Sequence, residues 1–107
     1  VPAYTDNQAH WPQYYQTVWH EVSRRADAVD VIFIDGRFRV SCCLYSILQL
    51  LRSGRQDALF VIHDFWNSNK YKVLLRFLDE YRSAGTLASF TMKKNINSGD
   101  VEQVLHQ

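Results

Sequence analysis

Residues 28–36 read AVDVIFIDG and residues 58–64 read ALFVIHD. In each, an unbroken run of β-branched, aliphatic and aromatic side chains, Val31 to Ile34 and Leu59 to Ile62, stops at a polar end: Asp35-Gly36 in one, His63-Asp64 in the other. Such runs without polar alternation predict strands buried on both faces, as in a parallel sheet. Between them, Phe38 to Arg52 sets Val40, Cys43, Leu44, Ile47, Leu48 and Leu51 on one helical face, and Ser53-Gly54 supplies the expected glycine stop. Two strands joined through a helix of about four turns run parallel, with a right-handed crossover. The fold class expected is α/β: a Rossmann-like three-layer sandwich, partial, its mostly parallel sheet flanked by helices.

Outward from this βαβ unit the chain continues the alternation. On the N-terminal side, Val1 to Asn7 is a short stretch, and residues 8–26 have a helical apolar stripe of Trp11, Tyr15, Val18, Trp19 and Val22. Pro12 suits the first turn of that helix and Arg24-Arg25 the last. On the C-terminal side, Phe65 to Lys70 is a polar-aromatic loop, and Tyr71 to Ser83 predicts a third helix with Val73, Leu74, Phe77, Leu78 and Tyr81 inward, closed by Gly85. Leu87 to Lys93 alternates like a third strand nearer an edge, and Asp100 to His106 reads as a last helical turn or two. No repeat, low-complexity tract or interdomain linker interrupts residues 1–107, which are read as one domain.

Composition narrows the classes of function. A chain 47% hydrophobic and 21% charged is globular in character rather than disordered. A formal net charge of +1 gives no electrostatic case for a nucleic-acid partner. No apolar run approaches the roughly 18 residues of a membrane span, and no secretory signal is visible. A soluble, cytoplasmic protein is expected. Cys42 and Cys43 are neighbours in a helical pattern, which disfavours a disulfide between them, and no second Cys or His pair sits at zinc spacing. The chain opens on Val1-Pro2 without an initiator Met, which leaves processing, excision or the tail of a longer protein open.

Ligands of open parallel sheets bind outside the carboxyl ends of the strands. If the two strands pair directly, a spacing of about 4.8 Å brings Asp35, His63 and Asp64 within reach of one ligand or ion. Three roles are open to this cluster. It could hold a hard divalent cation such as Mg²⁺. His63 could act as a general base. Or Asp64 could orient His63 while Asp35 caps the following helix. Arg37 and Arg39, at the start of that helix, read either as an anion site or as surface partners of Asp35. Trp66, Asn67, Asn69 and Tyr71 suit a substrate pocket or a loop capping the core. The Gly-rich loops that cradle phosphates need glycines that Gly36, Gly54, Gly85 and Gly99 cannot supply at those spacings.

The run DVIFIDGRFRVSCCLYSILQLLRSG (residues 30–54), followed by ALFVIHDFW and a helix beginning at Tyr71, resembles the second half of class I S-adenosylmethionine-dependent methyltransferases. The resemblance covers Val29 to Lys93. It implies that Asp35 and Asp64 lie at strand ends lining the site, where metal-dependent small-molecule O-methyltransferases of this fold place cation ligands. The sequence departs from that pattern at His63 and Phe65. Its larger departure is the lack of the Gly-rich loop and acidic residue with which the family's first half grips the cofactor. Two functions are therefore expected. One is part of an S-adenosylmethionine-dependent O-methyltransferase acting on a small molecule or glycan, with catalytic Asp35, His63 and Asp64, substrate- or anion-binding Arg37, Arg39, Trp66 and Tyr71, and Mg²⁺ on Asp35 and Asp64. The other is a non-catalytic half-fold that forms a homodimer or docks another chain through an exposed sheet edge at Val31 to Ile34.

Overall fold

The computed structural model describes residues 29–35 and 38–106. The helix expected over 8–26, the segment before it and Arg37 lie outside the described residues.

The apolar run at Val31–Ile34 forms strand β1, and Arg39–Arg52 forms helix α1. Leu59–His63 forms β2, which pairs with β1 in parallel from Val31 beside Leu59 to Ile34 beside Ile62. The βαβ unit expected from the sequence is present. Helix α1 ends as its glycine indicates: Ser53 donates its backbone N–H to Gln49, and Gly54, at φ 73°, donates to Leu51.

Beyond β2 the structure departs from the sequence reading. After a short 3-10 turn at Phe65–Asn67, a second 3-10 segment runs over Asn69–Arg76 and then stops. Residues Leu78–Ala84, expected as the second half of a helix, form strand β3, and Leu87–Met92 form β4. Gly85 closes no helix. At φ 59° it opens a two-residue hairpin loop between paired Ala84 and Leu87, where a Gly at the first loop position matches the right-handed strand twist. The apolar spacing of Leu74, Phe77, Leu78 and Tyr81 is helical. The backbone hydrogen bonds of β4 outweigh it and end the helix at Arg76. Tyr81 sits exposed at a bulge between Glu80 and Arg82 rather than inward.

The sheet order is β1-β2-β4-β3. β4 is internal, not near an edge, and it runs antiparallel to both neighbours. A mostly parallel sheet is thus corrected to a mixed one in which β1 and β2 are the sole parallel pair among the described strands. Among the described residues one helical layer is seen, on one face of the sheet. The sheet side chains that enter the core are Ile34, Phe60, Ile62, Leu78, Ala88, Phe90 and Met92, and their register puts all of them on one face. Helix α1 covers that face with Cys43, Leu44, Ile47 and Leu48, joined by Phe65, Leu74 and Phe77. The final helix α2, Ser98–Leu105, packs against α1 through Val101 and Val104, with Arg52 and Glu102 paired at 3.0 Å across the helices. On the opposite face Val31 and Phe33 are 56% and 58% exposed. β1 is therefore buried on one face, not on both as its composition suggested. No helix among the described residues is long and apolar enough to cross a membrane.

Candidate functional site

The parallel register that sets Ile34 beside Ile62 carries the chain one residue further, to Asp35 beside His63. Both are odd-numbered neighbours of Phe33 and Val61, so their side chains leave the sheet on the face opposite the core. Asp35 Oδ1 lies 3.0 Å from His63 Nδ1. Asp64 turns back on the same atom, its Oδ2 lying 3.2 Å from Nδ1. This return requires a backbone reversal immediately after the strand. Asp64 makes it at φ 57°, in the left-handed region that Asp tolerates better than most residues.

The reversal is pinned on both sides. Asp64 donates its N–H to the carbonyl of Thr86 at 2.7 Å, at the hairpin loop, and accepts the N–H of Asn67 at 3.2 Å. The Asn67 side chain then donates through Nδ2 to Asp64 Oδ1 at 3.0 Å. On the other flank Arg39 donates through one guanidinium nitrogen to Asp35 Oδ1 at 3.0 Å and through the other to the backbone carbonyl of His63. Its guanidinium carbon also stands 5.9 Å from the centre of the Tyr71 ring. The result is a continuous polar row, Arg39, Asp35, His63, Asp64 and Asn67, across the carboxyl ends of β1 and β2.

Several expectations about individual residues change. Asp35 does not cap α1. The residue at that position is Phe38, at φ 56° and with no side-chain capping bond, while the Asp35 carboxylate faces Arg39 and His63. Arg39 was expected to bind an anion or pair with Asp35, and the structure forms the pair. Tyr71 lies against Phe65, 6.2 Å between ring centres, with Lys70 5.2 Å from its own. Trp66 is half exposed, stacks edge-on against Phe65 at 4.7 Å, and directs its indole N–H to Ser83 Oγ at 3.4 Å. Its polar contact is thus with β3 rather than with the row. Sequence reasoning placed Asn67 in the loop without assigning it to Asp64. The one signal was its position three residues after an acid, the spacing of one turn.

Compared with known proteins, the chain matches no family model, no curated protein and no solved structure. The site therefore stands on its own geometry.

That geometry can be tested against the groups that the resemblance implies. S-adenosylmethionine needs backbone donors from a Gly-rich turn and an acid for its ribose. The glycines described here in left-handed conformation, Gly54 and Gly85, end a helix and open a hairpin instead. These residues do not fit the cofactor. For Mg²⁺, Asp35 Oδ1 is already shared by Arg39 and His63, and Asp64 divides its oxygens between His63 and Asn67. Among the described residues no group of three His, Cys, Asp or Glu is arranged to hold a metal ion. A cation at Asp35 would stand beside the Arg39 guanidinium, and the like charge opposes it. The row suits protons better than metal.

The two cysteines are set apart from this chemistry. Burial pushes the Cys42 thiol up to about 11 and Cys43 higher still, so both remain protonated and poorly nucleophilic at neutral pH.

Proposed function

We propose that this chain is the acceptor-side part of an S-adenosylmethionine-dependent O-methyltransferase acting on a small molecule or glycan, with the cofactor gripped by sequence outside these residues. The observation that carries the reading is the convergence of Asp35 and Asp64 on one nitrogen of His63 at the carboxyl ends of adjacent parallel strands. A hydroxyl acceptor needs a base to take its proton, and an imidazole oriented by carboxylates is the common solution. In this reading Nδ1 faces the acids and Nε2 receives the acceptor proton. Asp35 and Asp64 stabilise the imidazolium that forms, and Arg39 and Tyr71 wall the row on the side of α1. The place of β1 at the edge of the described strands supports the reading as well, because a sheet continued by another half needs an edge strand there.

The test is calorimetric titration of S-adenosylmethionine and S-adenosylhomocysteine, with and without Mg²⁺, into this chain and into the longer polypeptide of its reading frame. No binding to the chain alone and micromolar binding to the longer polypeptide is the expected result. Binding by neither, or a reading frame without further upstream sequence, overturns the proposal.

The exposed apolar side chains of β1 favour one second reading, a homodimer with no catalytic role. A two-fold axis midway between the Ile32 residues of two copies pairs Val31 with Phe33 of the second copy in antiparallel register and keeps every side chain on its own face. Four residues make a small contact, well under the roughly 1,000 Å² of a durable interface unless the adjoining open face joins in. Sedimentation of the chain at rising concentration decides this reading. A strictly monomeric species ends it.

A further inference from the structure

We propose that Arg39 and Asn67 are positioning residues that lock His63 in a single tautomer, with the proton on Nδ1 and the lone pair on Nε2. The proposal deepens the base role given to His63 above and rests on that reading for its purpose, though not for its geometry.

One imidazole nitrogen offers one N–H, yet two carboxylate oxygens stand 3.0 and 3.2 Å from Nδ1. Were the proton on Nε2 instead, the Nδ1 lone pair would stand 3.0 and 3.2 Å from two anionic oxygens. Repulsion between that lone pair and the two carboxylates disfavours the arrangement as long as both acids are held in place. Left to themselves they would swing away, since a strand-end aspartate has two free torsions and water to turn to. Each is held by its own second donor. Arg39 fixes Asp35 Oδ1 from α1 and grips the carbonyl of His63 with its other nitrogen, so acid and imidazole are referenced to the same guanidinium. Asn67 bonds Asp64 twice, backbone to backbone and Nδ2 to Oδ1, which keeps the left-handed turn closed and the carboxylate aimed at the ring.

The two clamps differ in charge. Arg39 brings a full positive charge to Asp35, whereas Asn67 brings only an amide dipole to Asp64. Asp35 is thus the more fully compensated acid, and Asp64 retains more of its charge for the ring. Loss of Asn67 frees Asp64 without removing any charge. Loss of Arg39 frees Asp35 and leaves two under-compensated acids at one nitrogen.

The experiment is ¹⁵N–¹H correlation spectroscopy of the imidazole rings in the full chain, at a pH where His63 is neutral, with the His63 signals assigned by their loss in His63→Gln. The expected wild-type pattern is a pyrrole-type shift at Nδ1 and a pyridine-type shift at Nε2. Asn67→Ala and Arg39→Gln should each move both shifts toward the average of two exchanging tautomers. Asn67→Ser, which keeps a donor but shortens it, should recover part of the wild-type pattern. Backbone spectra of the same samples verify that the sheet is intact, and double substitution of Asp35 and Asp64 by Asn gives a second route to the averaged pattern should Arg39→Gln fail to fold. A pyridine-type Nδ1 in the wild type, or shifts unchanged in folded Asn67→Ala and in the double Asn variant, overturns the proposal. The readout needs no cofactor. An intact tautomer pattern beside failed cofactor binding sinks the proposed function alone, and the converse sinks the positioning role alone.

Discussion

The two faces of the sheet have similar strands and opposite fates. On one, Ile34, Phe60, Ile62, Phe90 and Met92 vanish beneath α1, α2 and the 3-10 segments, and Phe60 and Phe90 are fully buried. On the other, Val31, Phe33 and Leu87 remain exposed, and polar Ser89, Thr91, Asp79 and Arg82 take over toward β3. The edges differ in the same direction. β3 ends the sheet with charges and a bulge, both familiar defences against unwanted pairing. Among the described strands β1 forms the other edge, with four apolar residues and neither defence. Among the described residues an apolar edge thus adjoins an apolar half-face, and the polar row of the site opens on that same side.

The two faces should differ most in what their aromatic side chains contribute to stability. Phe60→Ala should cost about 3–5 kcal/mol, the usual penalty for emptying a buried aromatic site. Phe33→Ala should stay within about 0.5 kcal/mol, as for an exposed position. Urea denaturation of both variants measures the difference. Equal losses would mean that the open face is covered by chain outside the described residues. Next, Gly85→Ala should destabilise by about 1–2 kcal/mol, because no neighbour lies within 4 Å of the added Cβ and the whole cost is the left-handed backbone. A smaller loss in thermal denaturation would mean that β3 and β4 adjust their turn freely.

Asn97→Ala tests the covering layer. Asn97 caps α2 by accepting the N–H groups of Gly99 at 2.8 Å and Asp100 at 3.3 Å. Its loss should cost about 1 kcal/mol and raise amide exchange in α2 before β2 or β4. Val31→Lys probes the opposite side, with monomer stability expected within about 0.5 kcal/mol and any concentration-dependent dimer abolished. A dimer that persists would clear β1 of the contact.

The smallest effect concerns the entrance to β1, where Arg55 bridges Asp57 at 2.6 Å and Asp30 at 3.1 Å. The hydrogen bond from Arg55 holds the Asp57 carboxyl below its usual range near 3.8. A depressed acid contributes stability that is complete above its unfolded value and fades as pH falls through the folded one. Asp57→Asn should therefore lower stability slightly above pH 3.8 and converge on the wild type as pH falls below it, so that urea denaturation across pH shows a less steep acid limb.

Much of the βαβ unit was legible because its signals agree. The apolar runs, the helical stripe between them and the Ser53-Gly54 stop all name the same elements, and the strand ends name the cluster of Asp35, His63 and Asp64. Residues 71–84 were not legible because the signals conflict there. Leu74 and Leu78 satisfy a helical period, whereas Gly85 before Thr86 marks a hairpin equally well. The use of Asn67 and Arg39 was illegible for another reason. A donor's choice among several acceptors depends on backbone reversals at Asp64 and Phe38 that no local pattern announces.

Two apolar strands flanking a helix, with acids and an imidazole at the strand ends, are readable from residues 28–64 alone, since periodicity and strand termini are local properties. Only the tertiary structure decided that residues 78–84 join the sheet, that β4 enters it antiparallel beside β2, and that both acids meet at a single nitrogen of His63. Strand pairing and side-chain convergence join residues far apart in the chain, and their free energy is realised only when the partner is in place.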